Sequence, residues 1–276
     1  MPDARETEGV DVAVVGHWNS DQGALVSLRE AFPEARWIEA PATATVPAKR
    51  WLGIASTSED VVALLEDDCV VRSGWCRALR AAHRSQDVAI GGAIEPSSYE
   101  RRLDWAVYFC EYSRFMMPFA GRVTSLPGNN VSYKREALTR FGEAQWPAEG
   151  FYEGDFHRKL RALGLSLVAD PALAVENVNS WDAAQVLGVP FHHGRAFAGR
   201  RLRGRAFWQR LCFAGFALVL PALQVFRAMR EVASRRRLVS KLILAMPWVL
   251  LFCISWSAGE LVGYLSGEGK SPARWR

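Results

Sequence analysis

Residues 61–68, "VVALLEDD", decide how this chain is read. The apolar run Val61–Leu65 has the length and composition of a buried strand, and it runs directly into Glu66, Asp67 and Asp68. Three adjacent carboxylates repel one another, so the fold must either place a cation among them or leave them solvated. The flanking segments set the context. "DVAVV" (11–15) reads as a strand, "GALVSLREAF" (23–32) as a helix closed by Pro33, and "ARWIEA" (35–40) as a second strand. "PAKRWLGIAS" (47–56) opens on a proline and keeps helical spacing. Beyond the triplet, "DVAIGGAIEP" (87–96) predicts a strand and loop, and "NNVSYKREALTRF" (129–141) a short strand entering a helix. "GDFHRKLRALG" (154–164) predicts a helix stopped by Gly164. Strands alternating with helices predict an α/β fold with a mainly parallel sheet flanked by helices. Ligands of such sheets bind beyond the carboxyl ends of the strands, where the triplet sits.

Composition divides the 276 residues in two. From Arg195 to Lys241 the chain carries twelve Arg or Lys residues and one acid, Glu231, although its net charge is only +5. This basic block brackets apolar segments, which points to anionic lipid headgroups and away from nucleic acid. "LCFAGFALVLPALQVF" (211–226) contains Pro221 and has arginines on both sides; "LILAMPWVLLFCISWSAGELVGYL" (242–265) has the roughly 20 apolar residues a membrane span needs. The expected organisation is a polar tail over 1–10, an α/β domain over 11–205, and an interfacial segment with a basic loop over 206–241. A transmembrane helix over 242–265 and a tail over 266–276 complete it. The basic loop 227–241 is expected to stay cytoplasmic, with the C-terminal tail outside. Trp208, Trp248 and Trp256 suit interfacial packing. Cys69, Cys76, Cys110, Cys212 and Cys253 lack metal-ligand spacing, and an odd count argues for a reducing compartment. "MPDARETEGV" (1–10) is acidic and is not read as a secretory signal.

Three segments carry chemistry. Adjacent acids at a strand end suit Mg2+ or Mn2+, which favour carboxylate and phosphate oxygens and could neutralise a diphosphate leaving group. The plain alternative is a solvated acidic turn. "LPGNNVSYKREAL" (126–138) joins a Pro-Gly turn to two amides able to bind sugar hydroxyls. "FYEGDFHRKLRALG" (151–164) presents Glu153 and Asp155 at a helix start, as a general base or as acids facing the helix dipole. His192 and His193 cannot share a helix face and have no evident acidic neighbour in sequence. Arg195, Arg200 and Arg201 fit phosphate contacts and lipid anchoring equally.

In this order and spacing, "VPAKRWLGIA", "ALLEDDCVVRSGW", "IGGAIEP", "LPGNNVSYKREAL", "EGDFHRKLRALG" and "FHHGRAFAGRR" resemble the family 2 glycosyltransferases with the GT-A fold, over roughly residues 11–205. The resemblance implies that Glu66 and Asp68 are the outer acids of an Asp-x-Asp motif. They would hold Mg2+ or Mn2+ and, with Asp67, meet the diphosphate or ribose of a nucleotide-sugar donor. Arg50 falls on the basic residue of an Arg-Asn-x-Gly segment, with Trp51 in place of the amide. Gly128, Asn129 and Asn130 would line the sugar or acceptor side, and Arg195 would reach phosphate. Glu153 falls on the catalytic aspartate, with Asp155 its close competitor. The sequence also departs from the family. "DVAVVGHWNSD" matches a second strand, with Gly16 and His17 where an acid pair is expected, and the preceding strand-helix unit is expected to be missing. Glu176 and Asn177 stand where a metal-completing histidine is usual. The implied function is inverting, metal-dependent sugar transfer at the cytoplasmic face of the inner membrane, to an acceptor for which lipid linkage suits a membrane-tethered site. The alternative is a degenerate relative that acts as a binding partner in glycan assembly.

Overall fold

The computed structural model describes residues 9–18, 22–142 and 144–274. The expected tail 1–10 therefore lies outside the described residues up to residue 8, as do residues 19–21 of "DVAVVGHWNSD" and the last two of the tail 266–276. The chain forms two compact units. Unit 1 comprises Met1–Ile94 and Phe119–Glu176; unit 2 comprises Glu95–Pro118 and Asn177–Arg276.

In chain order, unit 1 begins with β1 (Ala13–Gly16), α1 (Gln22–Ala31), β2 (Arg36–Glu39), α2 (Val46–Ser56) and β3 (Val61–Leu65). It continues with β4 (Cys69–Val71), α3 (Trp75–Ala82) and β5 (Ala89–Gly91), and β6 (Ile94–Pro96) carries the chain into unit 2. There α4 (Arg102–Glu111) forms. The chain then returns with β7 (Gly121–Val123), β8 (Asn130–Lys134), α5 (Arg135–Phe141), α6 (Trp146–Glu149), α7 (Glu153–Ala162) and β9 (Leu167–Ala169). After β10 (Val175–Asn177), unit 2 is completed by α8 (Ala183–Arg201), α9 (Phe207–Ala217), α10 (Leu220–Arg235) and α11 (Val239–Ser266).

The fold is α/β, a sheet flanked by helices followed by C-terminal helices, but the sheet is mixed and not mainly parallel. Its strand order is β3-β8-β5-β9-β7. The strand-helix alternation does align β3, β5 and β9. However, β8 inserts antiparallel between β3 and β5, and β7 pairs antiparallel with β9. A strand that returns after an excursion through another unit is free to enter from the opposite end, and periodicity carries no sign of direction. β1 and β2 form a parallel pair of their own.

Register places the site. Leu65 pairs with Asn130, Gly91 with Val131, and Ala169 with Gly91, so the end of β3 and the start of β8 lie at one edge. β3 alternates, burying Val62 and Leu64, while β5 is buried throughout. Gly91 and Gly92 admit close backbone neighbours there: a Cβ on Gly91 would sit 2.7 Å from the Asn130 carbonyl oxygen.

Candidate functional site

Arg50 reaches the sheet edge because the start of α2 is fixed. The Thr45 hydroxyl accepts a hydrogen bond from the Ala48 N–H at 3.3 Å, and Pro47 occupies the first turn. The Phe151 N–H donates to the Pro47 carbonyl at 2.8 Å. Gly150, at φ +88°, lies so close to Pro47 that any side chain would collide with it. The start of α7, with Glu153, is thereby held beside the start of α2. Beneath it, Tyr133, Trp146, Phe151 and Phe156 interlock edge-on, with ring centroids 5.0–5.6 Å apart. The Tyr133 hydroxyl meets His157 Nε2 at 2.7 Å.

The Arg50 guanidinium lies between two carboxylates. Nη2 donates to Glu66 Oε1 at 2.5 Å, and Nη1 donates to Glu153 Oε2. These partners are 16 and 103 residues from Arg50 in sequence. Burial pulls the Arg50 pKa down, but Glu153 and Glu66 together carry it above its ordinary value. Glu66 moves upward: burial disfavours its charge, and Asp68 and Glu153 add repulsion that Arg50 only partly offsets. Gly128 closes the cluster, because a Cβ there would sit 2.8 Å from both Arg50 Nη2 and the Glu153 carboxylate.

Beside this pair are two buried donors without partners among the described residues: Arg50 Nε and Asn129 Nδ2. Asn129 is only 3% exposed. A buried N–H left unpaired costs about 1–3 kcal/mol, which an incoming acceptor would recover. Asn130 is different. Its amide donates to the carbonyls of Leu173 at 2.7 Å and Ala93 at 3.3 Å, so it pins the backbone. Asp67 is exposed at the tip of the turn, which is closed by the Cys69 N–H donating to the Glu66 carbonyl at 3.0 Å. Asp68 accepts from the Cys69 thiol at 3.3 Å. Burial, with Asp68 next, pushes that thiol well above its usual pKa.

The structure brings Arg50, Glu66, Gly128, Asn129 and Glu153 together. Asp155 lies two residues beyond Glu153, on the opposite side of α7, and pairs with Arg158. Arg195 belongs to unit 2, where its Nε donates to the Gly267 carbonyl at 3.1 Å. Glu176 pairs with Arg72 at 3.1 Å, and buried Asn177 accepts from the Tyr99 hydroxyl. His193, without an acidic neighbour in sequence, lies 3.7 Å from Glu111 of α4. The aromatic support under α7 was not read from sequence; "QWPAEGFYEGDF" (145–156) held its only signal.

In the ligand-free arrangement Glu66 and Asp68 do not form a protein-only cage for a divalent ion. Glu66 is already engaged by a guanidinium, and no three His, Cys, Asp or Glu side chains converge among the described residues. Arg50 is the cation on Glu66.

No protein-family model and no curated protein matches the chain. Among solved structures it is similar to the mannosyltransferase PcManGT from Pyrobaculum calidifontis, solved in complex with GDP-Man and Mn2+. There the identity is 15%, the TM-score 0.48, and the match covers 93% of this chain and 78% of that one. It is also similar to residues 1–349 of TarS from S. aureus, at 12% identity and TM-score 0.45, over 91% of this chain and 81% of that one. With A197 from STIV the identity is 12% and the TM-score 0.38, over 63% and 96% of the respective chains. Scores of this size carry no argument about activity, which rests on the residues.

Proposed function

We propose that unit 1 binds a nucleotide-sugar donor and transfers its sugar, with inversion, to an acceptor hydroxyl. The observation that carries this reading is Arg50, a part-buried cation shared by Glu66 and Glu153, with donors unpartnered among the described residues at its Nε and at Asn129 Nδ2. Guanidinium forks match the oxygens of a diphosphate, and fixed N–H donors stabilise a charged leaving group. In the ligand-free arrangement Arg50 is held by carboxylates. A donor diphosphate would take over part of the fork and release Glu153. Glu153 would then accept the proton of the acceptor hydroxyl as its oxygen attacks the anomeric carbon. The bond from that carbon to the diphosphate oxygen breaks, and the nucleoside diphosphate leaves with the electron pair. No step requires a resident metal. Membrane-associated helices suit a lipid-linked acceptor at the cytoplasmic face.

A thermal-shift series on the solubilised protein with nucleoside diphosphates and nucleotide sugars tests the reading. A ligand at one hundred times its Kd adds about 2.7 kcal/mol to the folded state, a rise of about 5 °C for a chain of this size. Stabilisation by nucleotide sugars that disappears in Arg50→Ala supports the assignment. A flat response across nucleotides and sugars contradicts it, and binding without turnover would favour the degenerate relative.

A further inference from the structure

We propose that unit 2 is a monotopic membrane module: α9, α10 and α11 lay their apolar faces into one leaflet of an anionic bilayer, and α11 does not cross it. The proposal deepens the membrane-associated reading above and stands independently of the sugar chemistry.

α11, with 28 residues and a mean hydropathy of 1.9 over its best window, is long and apolar enough to span. Its exposed side is nevertheless a single stripe. Ile243, Leu244, Leu250, Leu251 and Ile254 face outward at helical spacing, while Ala245, Val249, Phe252 and Cys253 are buried. The inward side packs along α8, and the two helices run side by side in the same direction. The Ser255 hydroxyl donates to the Leu187 carbonyl. Farther along, side chains at Gly194, Gly259 or Gly263 would collide with the backbone of the opposite helix. α8 carries His192, His193, Arg195, Arg200 and Arg201. A crossing α11 would take His193, whose ring stands edge-on to Trp256, and Glu111 beside it into hydrocarbon, where ionisable groups are costly.

Both ends of α11 are also tied to polar groups of the same unit. At its start, Arg237 donates to Glu95 at 2.6 Å and to the Met117 carbonyl at 2.9 Å, and Lys241 Nζ stands 5.3 Å over the Trp105 ring. At its end, Arg195 caps Gly267, Arg203 pairs with Glu268 at 2.7 Å, and His192 Nδ1 meets the Ser271 hydroxyl at 3.1 Å. The buried Glu260 is satisfied within the helix by Trp256 Nε1 and the Tyr264 hydroxyl, each at 2.7 Å.

α9 and α10 supply the rest of the apolar face. They bend by 56° at their junction, where Pro221 opens α10, and the bend leaves Trp208, Phe216 and Leu218 more than 70% exposed. Arg227 and Arg236 lie exposed on the same segment, and Arg230 is paired with its neighbour Glu231 at 3.6 Å. An apolar face with bulky rings and a basic margin matches an interface-lying helix set on anionic lipid.

The test uses single cysteines at Ser234→Cys and Lys270→Cys in a background with the five native cysteines replaced by serine. Intact cells and inverted membrane vesicles are each treated with an impermeant maleimide. Both sites protected in cells and both labelled in inverted vesicles is the expected result. Labelling of Lys270→Cys in intact cells would establish a span and overturn the proposal, as would labelling of Ser234→Cys. Recovery of the chain in the soluble fraction would overturn membrane association itself. As a second measure, flotation with vesicles of phosphatidylcholine alone or mixed with phosphatidylglycerol should show binding that needs the anionic lipid. The Arg227→Glu, Arg236→Glu double variant should weaken it by roughly fivefold per charge. Binding of the double variant to the phosphatidylglycerol vesicles as tightly as the native chain would remove the basic margin from the proposal.

Discussion

Glu66 in unit 1 and Glu260 in unit 2 are both carboxylates with hydrogen-bond donors of their own, and they are satisfied in opposite ways. Glu260 is 6% exposed and takes neutral donors from one turn on either side of its own helix. Glu66 stands at a strand end, a third exposed, and its partner is a guanidinium shared with a second acid. The arginines differ in the same sense. Arg237 spends its fork on Glu95 and the Met117 carbonyl, whereas Arg50 keeps Nε unpartnered among the described residues. A polar group closed by its own helix is architecture. A charged group with a spare donor at a sheet edge can exchange its partner for a ligand. The contrast between the units is therefore between polar groups that hold the fold and polar groups free to act.

The sharpest attempt to break this contrast is Arg50→Ala. It should abolish nucleotide-sugar binding and leave Glu66 and Glu153 facing one another. Loss of the shared cation should also lower stability by about 2 kcal/mol, less than for a fully buried pair because both acids are part-exposed. Glu260→Gln should leave nucleotide binding unchanged. Calorimetry on both variants checks the pair; equal losses would erase the distinction.

Within unit 1, His83 should behave like the architectural groups. It is 8% exposed, Nε2 meets the Ser132 hydroxyl at 2.7 Å, and burial, aided by Lys134, lowers its pKa to about 4. The folded value lies below the unfolded one, so its contribution is complete above about pH 6.5 and is lost as pH falls toward 4. The loss should reach about 3 kcal/mol, and His83→Gln should flatten that limb of the stability profile without altering nucleotide affinity at pH 7.5. A profile unchanged by the substitution would contradict the assignment.

Gly128→Ala should weaken donor binding about tenfold, roughly 1.4 kcal/mol, by displacing the Arg50 fork from Glu153, with little change in melting temperature. Asp155→Asn should change turnover less than twofold, because Asp155 faces Arg158 and not Arg50. A larger effect there than at Glu153 would move the proton acceptor two residues along α7.

Much of unit 1 was legible. Pro47 marks the start of α2, Gly164 ends the segment that holds α7, and the run 61–65 ends as a strand at the triplet. The antiparallel entry of β8 was not, because alternation encodes a face and not a direction. α4 escaped notice because it is buried all round, from Leu103 to Phe109, and so shows no amphipathic period. Unit 2 takes the chain twice, which no linear boundary can express. At the site, the acids were visible as a cluster, but their cation was not. Arg50 meets Glu153 across 103 residues, and only the fold shows that Glu66 shares a cation with Glu153 from within the chain.

The central claim is that Arg50 is held by Glu153 until a donor diphosphate takes it. Titration of a nucleoside diphosphate, in the presence of EDTA, into the native protein and into Glu153→Gln tests this most directly. Removing the competing carboxylate should tighten binding severalfold, while sugar transfer falls by about 100-fold or more with the loss of the general base. Weaker or unchanged binding in Glu153→Gln, or binding in either protein only when Mn2+ is restored, would contradict the account.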